Sequence, residues 1–158
     1  EFRLLNGSKF HGQLTEAATY ISTSKSPKRM FIAKTPTIVQ VGDVISTPYG
    51  SEVLLMHYPK STTYSEHFIA VHVNDSVSWK RPVKIIDPVA KVMRDAGETD
   101  MGLLHLTLEQ MEDVSIEKMH VSAFSFYTGQ DVQLDDIVDG KIVSHIRQVF
   151  GVKFVSTK

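Results

Sequence analysis

Short runs that alternate apolar and polar residues, separated by turn residues, constrain the fold of this chain most. Successive side chains of a β-strand point to opposite faces, so such alternation indicates a strand with one face in the core. Residues 67–73 (HFIAVHV) and 115–127 (SIEKMHVSAFSFY) show it, and apolar groups on both faces of the second run predict a central strand. Further strands are predicted at residues 30–34, 37–41, 51–58, 77–86 and 102–108.

Turn residues divide these runs at short intervals. Gly42-Asp43 precedes one apolar pair, and Asp139-Gly140 lies between two others, where it predicts a two-residue hairpin. Gly151 divides the apolar C-terminal stretch into two strands or one strand with a bulge. The spacing is typical of strands joined in a meander.

Near the N-terminus, helical spacing occurs only at residues 13–21, where Leu14, Ala17, Ala18 and Ile21 share one face. Residues 88–96 are compatible with a short helix or a strand. The chain has 158 residues, the length of one ordinary domain. We therefore expect a mainly β protein, a small antiparallel barrel or sandwich with one or two short helices, in a single domain over residues 1–158.

Composition excludes several classes of protein. Hydrophobic residues make up 42% and charged residues 22%, which excludes a disordered tail, a collagen-like fibre and a coiled coil. The chain has no cysteine, so disulfides, thiolate metal sites and cysteine nucleophiles are excluded. No apolar run reaches 18 residues, and the net charge of −1 points to neither nucleic acid nor membrane as a partner.

Two segments of the sequence resemble each other. Residues 38–45 (IVQVGDVI) and 131–138 (DVQLDDIV) share one pattern. In both segments Val-Gln is followed by an aliphatic residue, a position that differs, Asp, and then two aliphatic residues. Each copy predicts a polar turn that leads into an apolar strand. A pseudo-repeat of residues 36–58 and 130–155 is one interpretation, and the recurrence of simple patterns in β-meanders is the other.

No catalytic motif is present. The chain lacks a nucleophile elbow, a Walker loop and a dinucleotide fingerprint. Its seven histidines form no His-x-His or His-x3-His pair, so no metal site is predicted. We expect neither enzymatic activity nor a cofactor. A small β-barrel enzyme that acts through His72 or His120 is a further hypothesis, beside the two given at the end of this subsection.

Three clusters of charged residues are candidate contact surfaces: a basic loop rich in Ser and Pro, a basic pair, and an acidic loop. The basic loop suits phosphate contacts, which predicts a possible non-specific contact with DNA. Residues 1–90 are net positive and residues 91–158 net negative, which suits head-to-tail association of subunits in a ring. In chain order the clustered residues are Lys25, Lys28, Arg29, Lys80, Arg81, Asp95, Glu98 and Asp100.

Residues 36–58 (PTIVQVGDVISTPYGSEVLLMHY) resemble an element of the small β-barrel neck proteins of tailed bacteriophages. These are head-completion, stopper and head–tail joining proteins, in which a Gly-Asp turn precedes a Val/Ile pair and a hairpin leads to an apolar strand. Residues 134–138 depart from the pattern, since Asp replaces Gly. The resemblance implies a homo-oligomeric ring between portal and tail, assembled in the host cytoplasm into the virion, with DNA passing through its lumen.

The first hypothesis is therefore a structural virion assembly protein that acts through its interfaces. The alternative is a carbohydrate- or peptide-binding β module, in which Trp79, Tyr58 and Tyr64 supply an aromatic platform.

Overall fold

The computed structural model describes residues 1–16, 28–34, 38–58, 65–108 and 124–158. These residues form thirteen strands and contain no helix. The strands are β1 (Phe2–Leu4), β2 (Lys9–Phe10), β3 (Gly12–Glu16), β4 (Lys28–Lys34), β5 (Val44–Ser46), β6 (Glu52–His57), β7 (Ser65–His72), β8 (Asp75–Ile86), β9 (Met93–Leu108), β10 (Ser125–Thr128), β11 (Ile137–Val138), β12 (Lys141–Val149) and β13 (Val152–Thr157).

The first seven strands form one antiparallel sheet in the order β2-β1-β5-β6-β7-β4-β3. The sheet curls, because the rings of Phe2 in β1 and Phe31 in β4 have centroids 5.0 Å apart although three strands separate them in the sheet. A first apolar cluster fills the curve. Its buried members are Phe2, Phe31, Ala33, Val39, Ile45, Val53, Leu55, Phe68 and Ala70.

The last six strands close into a barrel in the order β10-β13-β12-β11-β8-β9. A second cluster fills its interior, with buried Trp79, Leu104, Leu106, Phe126, Val132, Val138, Val143 and Val155. The small antiparallel barrel expected from the sequence is confirmed.

A third cluster joins the sheet to the barrel. The sheet contributes side chains that alternate with those of the first cluster, among them Leu54 and Met56, and the barrel contributes Tyr127 and Val152. Strand β6 is therefore buried on both faces, which explains its continuous apolar run. The backbone N–H of His57 also donates to the carbonyl of Phe150 across this junction, at 2.6 Å.

The predicted secondary structure is wrong at residues 13–16 and at residues 38–41. Residues 13–16 lie in β3, whose partner is β4, so cross-strand pairing outweighs the helical spacing there. Residues 17–21 lie outside the described residues. Residues 38–41 form no strand: they lead into the turn at Gly42-Asp43, where the N–H of Asp43 donates to the carbonyl of Gln40.

Most other predicted elements are confirmed. Strands occupy residues 30–34, 52–57, 67–72, 77–86 and 102–108 as expected. The hairpin at Asp139-Gly140 joins β11 to β12, and the C-terminal stretch forms the two strands β12 and β13, separated at Phe150-Gly151. Of the central strand predicted at 115–127, residues 115–123 lie outside the described residues.

Candidate functional site

The hairpin of β8 and β9 extends far beyond the barrel. Its strands have 12 and 16 residues, and β11 pairs with β8 only at Trp79 and Lys80. Strand β10 pairs with β9 only at its end, at Thr107 and Leu108. Beyond these contacts no other described strand pairs with either of them, so residues 80–100 form a two-stranded projection whose base is at Lys80. We call this projection the arm.

The end of the arm is apolar and exposed to solvent. The exposed fractions are 66% for Ile86, 91% for Val89, 57% for Val92 and 62% for Met93. We call these four residues the arm tip. Exposed apolar residues are ordinary one at a time, whereas several together at the end of a projection are typical of an interaction surface.

Asp87 gives the loop at the arm tip a defined shape. Its Oδ1 accepts hydrogen bonds from the backbone N–H groups of Val89 and Ala90, at 2.9 and 3.1 Å. These two bonds lower the pKa of the Asp87 carboxyl from its ordinary value. Its backbone N–H donates to the carbonyl of Val92 and its carbonyl accepts from the N–H of Lys91. The tip side chains are therefore held on an ordered loop.

The arm brings together two of the predicted charge clusters. Lys80 lies directly opposite Asp100, and its Nζ is 3.8 Å from a carboxylate oxygen of Glu98. Asp95 lies directly opposite Lys84, so these charges share one face of the arm. The prediction that residues 95–100 form a loop is wrong, because they are part of β9. Bulges that interrupt the register accommodate the glycines of this segment.

A buried carboxylate holds the base of the arm. The side chain of Asp136 is 1% exposed and accepts a hydrogen bond from Trp79 Nε1 at 2.9 Å. The guanidinium of Arg81 binds both of its oxygens, through Nε at 2.9 Å and Nη2 at 3.0 Å. The backbone N–H of Gln133 donates to Oδ2 at 2.9 Å. One carboxylate thus ties β8 to the turn that precedes β11.

The charges of this network stabilise one another. Burial alone raises the pKa of the Asp136 carboxyl, but Arg81 and the N–H groups of Gln133 and Trp79 outweigh it, so that the pKa lies below its ordinary value. The hydrogen bond to Asp136 raises the pKa of Arg81. Asp131 and Lys153 extend the network, since Lys153 Nζ is 2.7 Å from Asp131 Oδ1 and lowers the pKa of that carboxyl.

The predicted site residues therefore differ in their surroundings. Lys80, Asp95, Glu98 and Asp100 are exposed on the arm, whereas the guanidinium of Arg81 is bound within the chain. Of the basic loop, Lys25 lies outside the described residues. Lys28 and Arg29 are the first residues of β4, opposite Val71 and Ala70 of β7, and their side chains lie outside the described part.

The aromatic platform proposed for a binding module does not form as expected. Trp79 and Tyr58 are each 5% exposed, because the first lies in the barrel interior and the second between the sheet and the barrel. Tyr64 lies outside the described residues. His72 ends β7, and His120 lies outside the described residues as well.

Sequence reasoning did not single out the arm tip. A signal was present: Ile85-Ile86 and Val92-Met93 flank an Asp-Pro turn, and each pair places an apolar residue on both faces of the hairpin. Apolar residues are usually assigned to the core, and only the exposed fractions of these side chains in the folded chain show that they are at the surface.

Within the described ranges, no group of three or more His, Asp or Glu side chains is placed to hold a metal ion. The same residues include no helix with the length and hydropathy needed to cross a bilayer. No protein-family model, curated protein or solved structure matches the chain.

Proposed function

We propose that this chain is a structural assembly protein that attaches to neighbouring subunits through its arm, in a ring at the head–tail junction of a phage-like particle. The observation that carries the proposal is the arm itself, a two-stranded projection with an exposed apolar tip and a base fixed by Asp136.

The physical argument concerns what stabilises such a projection. A two-stranded ribbon is marginally stable in water by itself, and exposed apolar side chains at its end add nothing to the stability of the free chain. Burial of Val89 and Met93 against a partner recovers that free energy. The Asp136 network fixes the direction of the arm, which lowers the entropy lost when a partner is bound.

The segment that carries the resemblance to phage neck proteins adds support. From Gly42 onward it forms a turn, strand β5, a second turn and the apolar strand β6 in the centre of the sheet. The resemblance would place the ring between portal and tail in the virion, with DNA passing through its lumen and other virion proteins as neighbours.

The native mass of the chain from micromolar to millimolar concentration tests the proposal. We expect a ring of fixed stoichiometry, also visible in negative stain, and its loss in the variant Val89→Ser/Met93→Ser. Both side chains are exposed, so the circular dichroism spectrum stays unchanged. The matched control is Ile38→Ser, a residue 55% exposed away from the arm, which keeps the ring. A wild-type chain that stays monomeric, or a tip variant that still forms the ring, would contradict the proposal.

The predicted contact with DNA has its own test. Lys28 and Arg29 lie at one end of β4, next to the segment that contains Lys25. We expect Lys28→Glu/Arg29→Glu to lower DNA retention without loss of folding, because phosphate contacts depend on charge. Equal salt-dependent DNA binding by the variant and the wild type would remove DNA from the proposal.

A further inference from the structure

We infer that the arm tip binds a second copy of this chain, on a surface formed by the two turns that flank β11. We call this surface the turn patch and define it by Leu134, Asp135, Asp139 and Ile142. The inference rests on the proposed assembly function and names the receiving surface.

The turn patch combines apolar and acidic groups. Leu134 is 59% exposed and Ile142 44% exposed. Asp135 and Asp139 are exposed, and neither carboxylate forms an ion pair within the described part of the chain. The N–H of Asp135 donates to the carbonyl of Val143 at 3.1 Å, which holds the first turn beside β12.

The arm tip carries the complementary charge. Lys84 and Lys91 form no ion pair with any described residue, and Arg94 reaches Asp87 only at 3.8 Å. Residues 84–95 contain three cations, Lys84, Lys91 and Arg94, and two carboxylates, Asp87 and Asp95, so their net charge is +1. Oδ1 of Asp87 already accepts two backbone N–H groups, and Asp95 lies directly opposite Lys84. An apolar surface with exposed cations thus faces outward at one end of the molecule, and an apolar surface with exposed carboxylates lies at the other end of the arm.

The arm tip does not reach the turn patch of its own chain. Strand β11 pairs with β8 at Trp79 and Lys80, so the turn patch lies beside the base of the arm. An extended strand rises about 3.3 Å per residue, which places Ile86 about 20 Å from Lys80. The paired strands of the arm and the Asp136 network keep that separation.

The contact is therefore between copies, and its two surfaces are different. A contact between unlike surfaces repeats head to tail, and it closes into a ring when the rotation between subunits allows closure. The turn patch thus supplies the second half of the interface that a ring requires.

Charge reversal tests the inference. We expect Lys84→Glu/Lys91→Glu to weaken association at least about tenfold, and Asp135→Lys/Asp139→Lys to do the same, because each places like charges together. A chain that carries all four changes should regain association, because the new glutamates of the arm and the new lysines of the turn patch attract each other. Lysine is compatible with the left-handed backbone at Asp135 and Asp139, because Lys91 adopts φ 53° in this protein. The matched control is Glu1→Lys/Lys9→Glu, which reverses the charges of an exposed pair 3.5 Å apart and should leave association unchanged.

Cysteine cross-linking tests the same contact directly, on a chain with no cysteine of its own. A mixture of Val89→Cys and Leu134→Cys copies should form a disulfide-linked dimer on oxidation, faster than a mixture of Val89→Cys and Ile38→Cys copies.

The outcomes separate the two proposals. If the turn-patch reversal leaves the ring intact while Val89→Ser/Met93→Ser abolishes it, the inference is overturned and the assembly function stands. Equal cross-linking rates in the two cysteine mixtures also overturn the inference. A ring that survives Val89→Ser/Met93→Ser overturns the assembly function as well.

Discussion

At the scale of single residues, the buried carboxylate of Asp136 joins distant parts of the chain. It is the last residue of the turn before β11, yet it binds two side chains of β8 that are more than fifty positions away in the sequence. Four donors bind the two oxygens of this carboxylate, and loss of one charged partner would leave an uncompensated charge in the interior.

We expect Asp136→Asn to lower the free energy of unfolding by about 3 kcal/mol, because it removes the counter-charge of Arg81 and part of the bonding to Trp79. Denaturant unfolding followed by the fluorescence of Trp79, the single tryptophan, measures the loss. The control is Asp139→Asn, an exposed carboxyl, which changes stability by less than about 0.5 kcal/mol. Equal losses of unfolding free energy in the two variants would show that the Asp136 network stabilises the fold no more than an exposed carboxyl does.

The lowered pKa of Asp136 has a consequence for pH. An unfolded chain titrates its aspartates near pH 3.9, and Asp136 titrates at a lower pH in the folded chain. Its stabilisation is therefore complete above about pH 4 and is lost as the pH falls through the folded-state pKa. The difference in unfolding free energy between wild type and Asp136→Asn should be constant from pH 7 to pH 5 and shrink below about pH 4. A difference that grows in acid would contradict this.

At the scale of elements, the two similar segments of the sequence form the same turn. In the first, the N–H of Gln40 donates to Asp43 Oδ2 at 2.8 Å, and in the second the N–H of Gln133 donates to Asp136 Oδ2 at 2.9 Å. The third position has a left-handed backbone in both, with φ 93° at Gly42 and 69° at Asp135. Asp tolerates this conformation better than most residues, so the turn survives the replacement of Gly.

The two turns should differ in energy because Asp136 binds the side chains of Trp79 and Arg81, whereas Asp43 binds no side chain of the described part of the chain. We expect Asp43→Ala to cost about 1 kcal/mol, the value of one hydrogen bond to the backbone, and Asp136→Ala clearly more. Chemical unfolding of both variants at pH 7 measures the difference. Equal losses would mean that Trp79 and Arg81 add nothing to the second turn.

At the scale of the whole molecule, the sheet and the barrel share one apolar cluster. Their backbones also meet closely: a Cβ atom on Gly129 of the barrel would overlap the carbonyl oxygen of Gly42 in the sheet. The sequence offers no sign of this approach, since the two glycines are far apart in the chain and lie in unrelated turns.

Because of this junction, we expect the chain to unfold in one cooperative transition, with Trp79 fluorescence and far-ultraviolet circular dichroism giving the same midpoint. Gly129→Ala should lower stability by about 1–3 kcal/mol, since the added methyl group meets backbone that cannot move aside. At Gly50 a Cβ meets nothing, and Gly50→Ala costs only the strain of its φ of 84°, about 1 kcal/mol. Separate midpoints in the wild type would show two independent units.

The sequence by itself determined the local structure of this protein. Alternation and turn residues are properties of neighbouring positions, and they were sufficient to predict β6, β7, the Asp139-Gly140 hairpin and the mainly β class. The prediction failed at residues 13–16, where helical spacing conflicts with the pairing of β3 to a distant strand.

Only the tertiary structure decided where the strands end relative to the barrel and which polar groups meet. Whether Val89 and Met93 are core or surface depends on what covers them, and no neighbouring residue in the sequence carries that information. The partners of Asp136 likewise come from a distant strand, so their bonds exist only once the barrel is closed. Contacts of this kind are non-local, and for that reason the arm and its network become visible only in the folded chain.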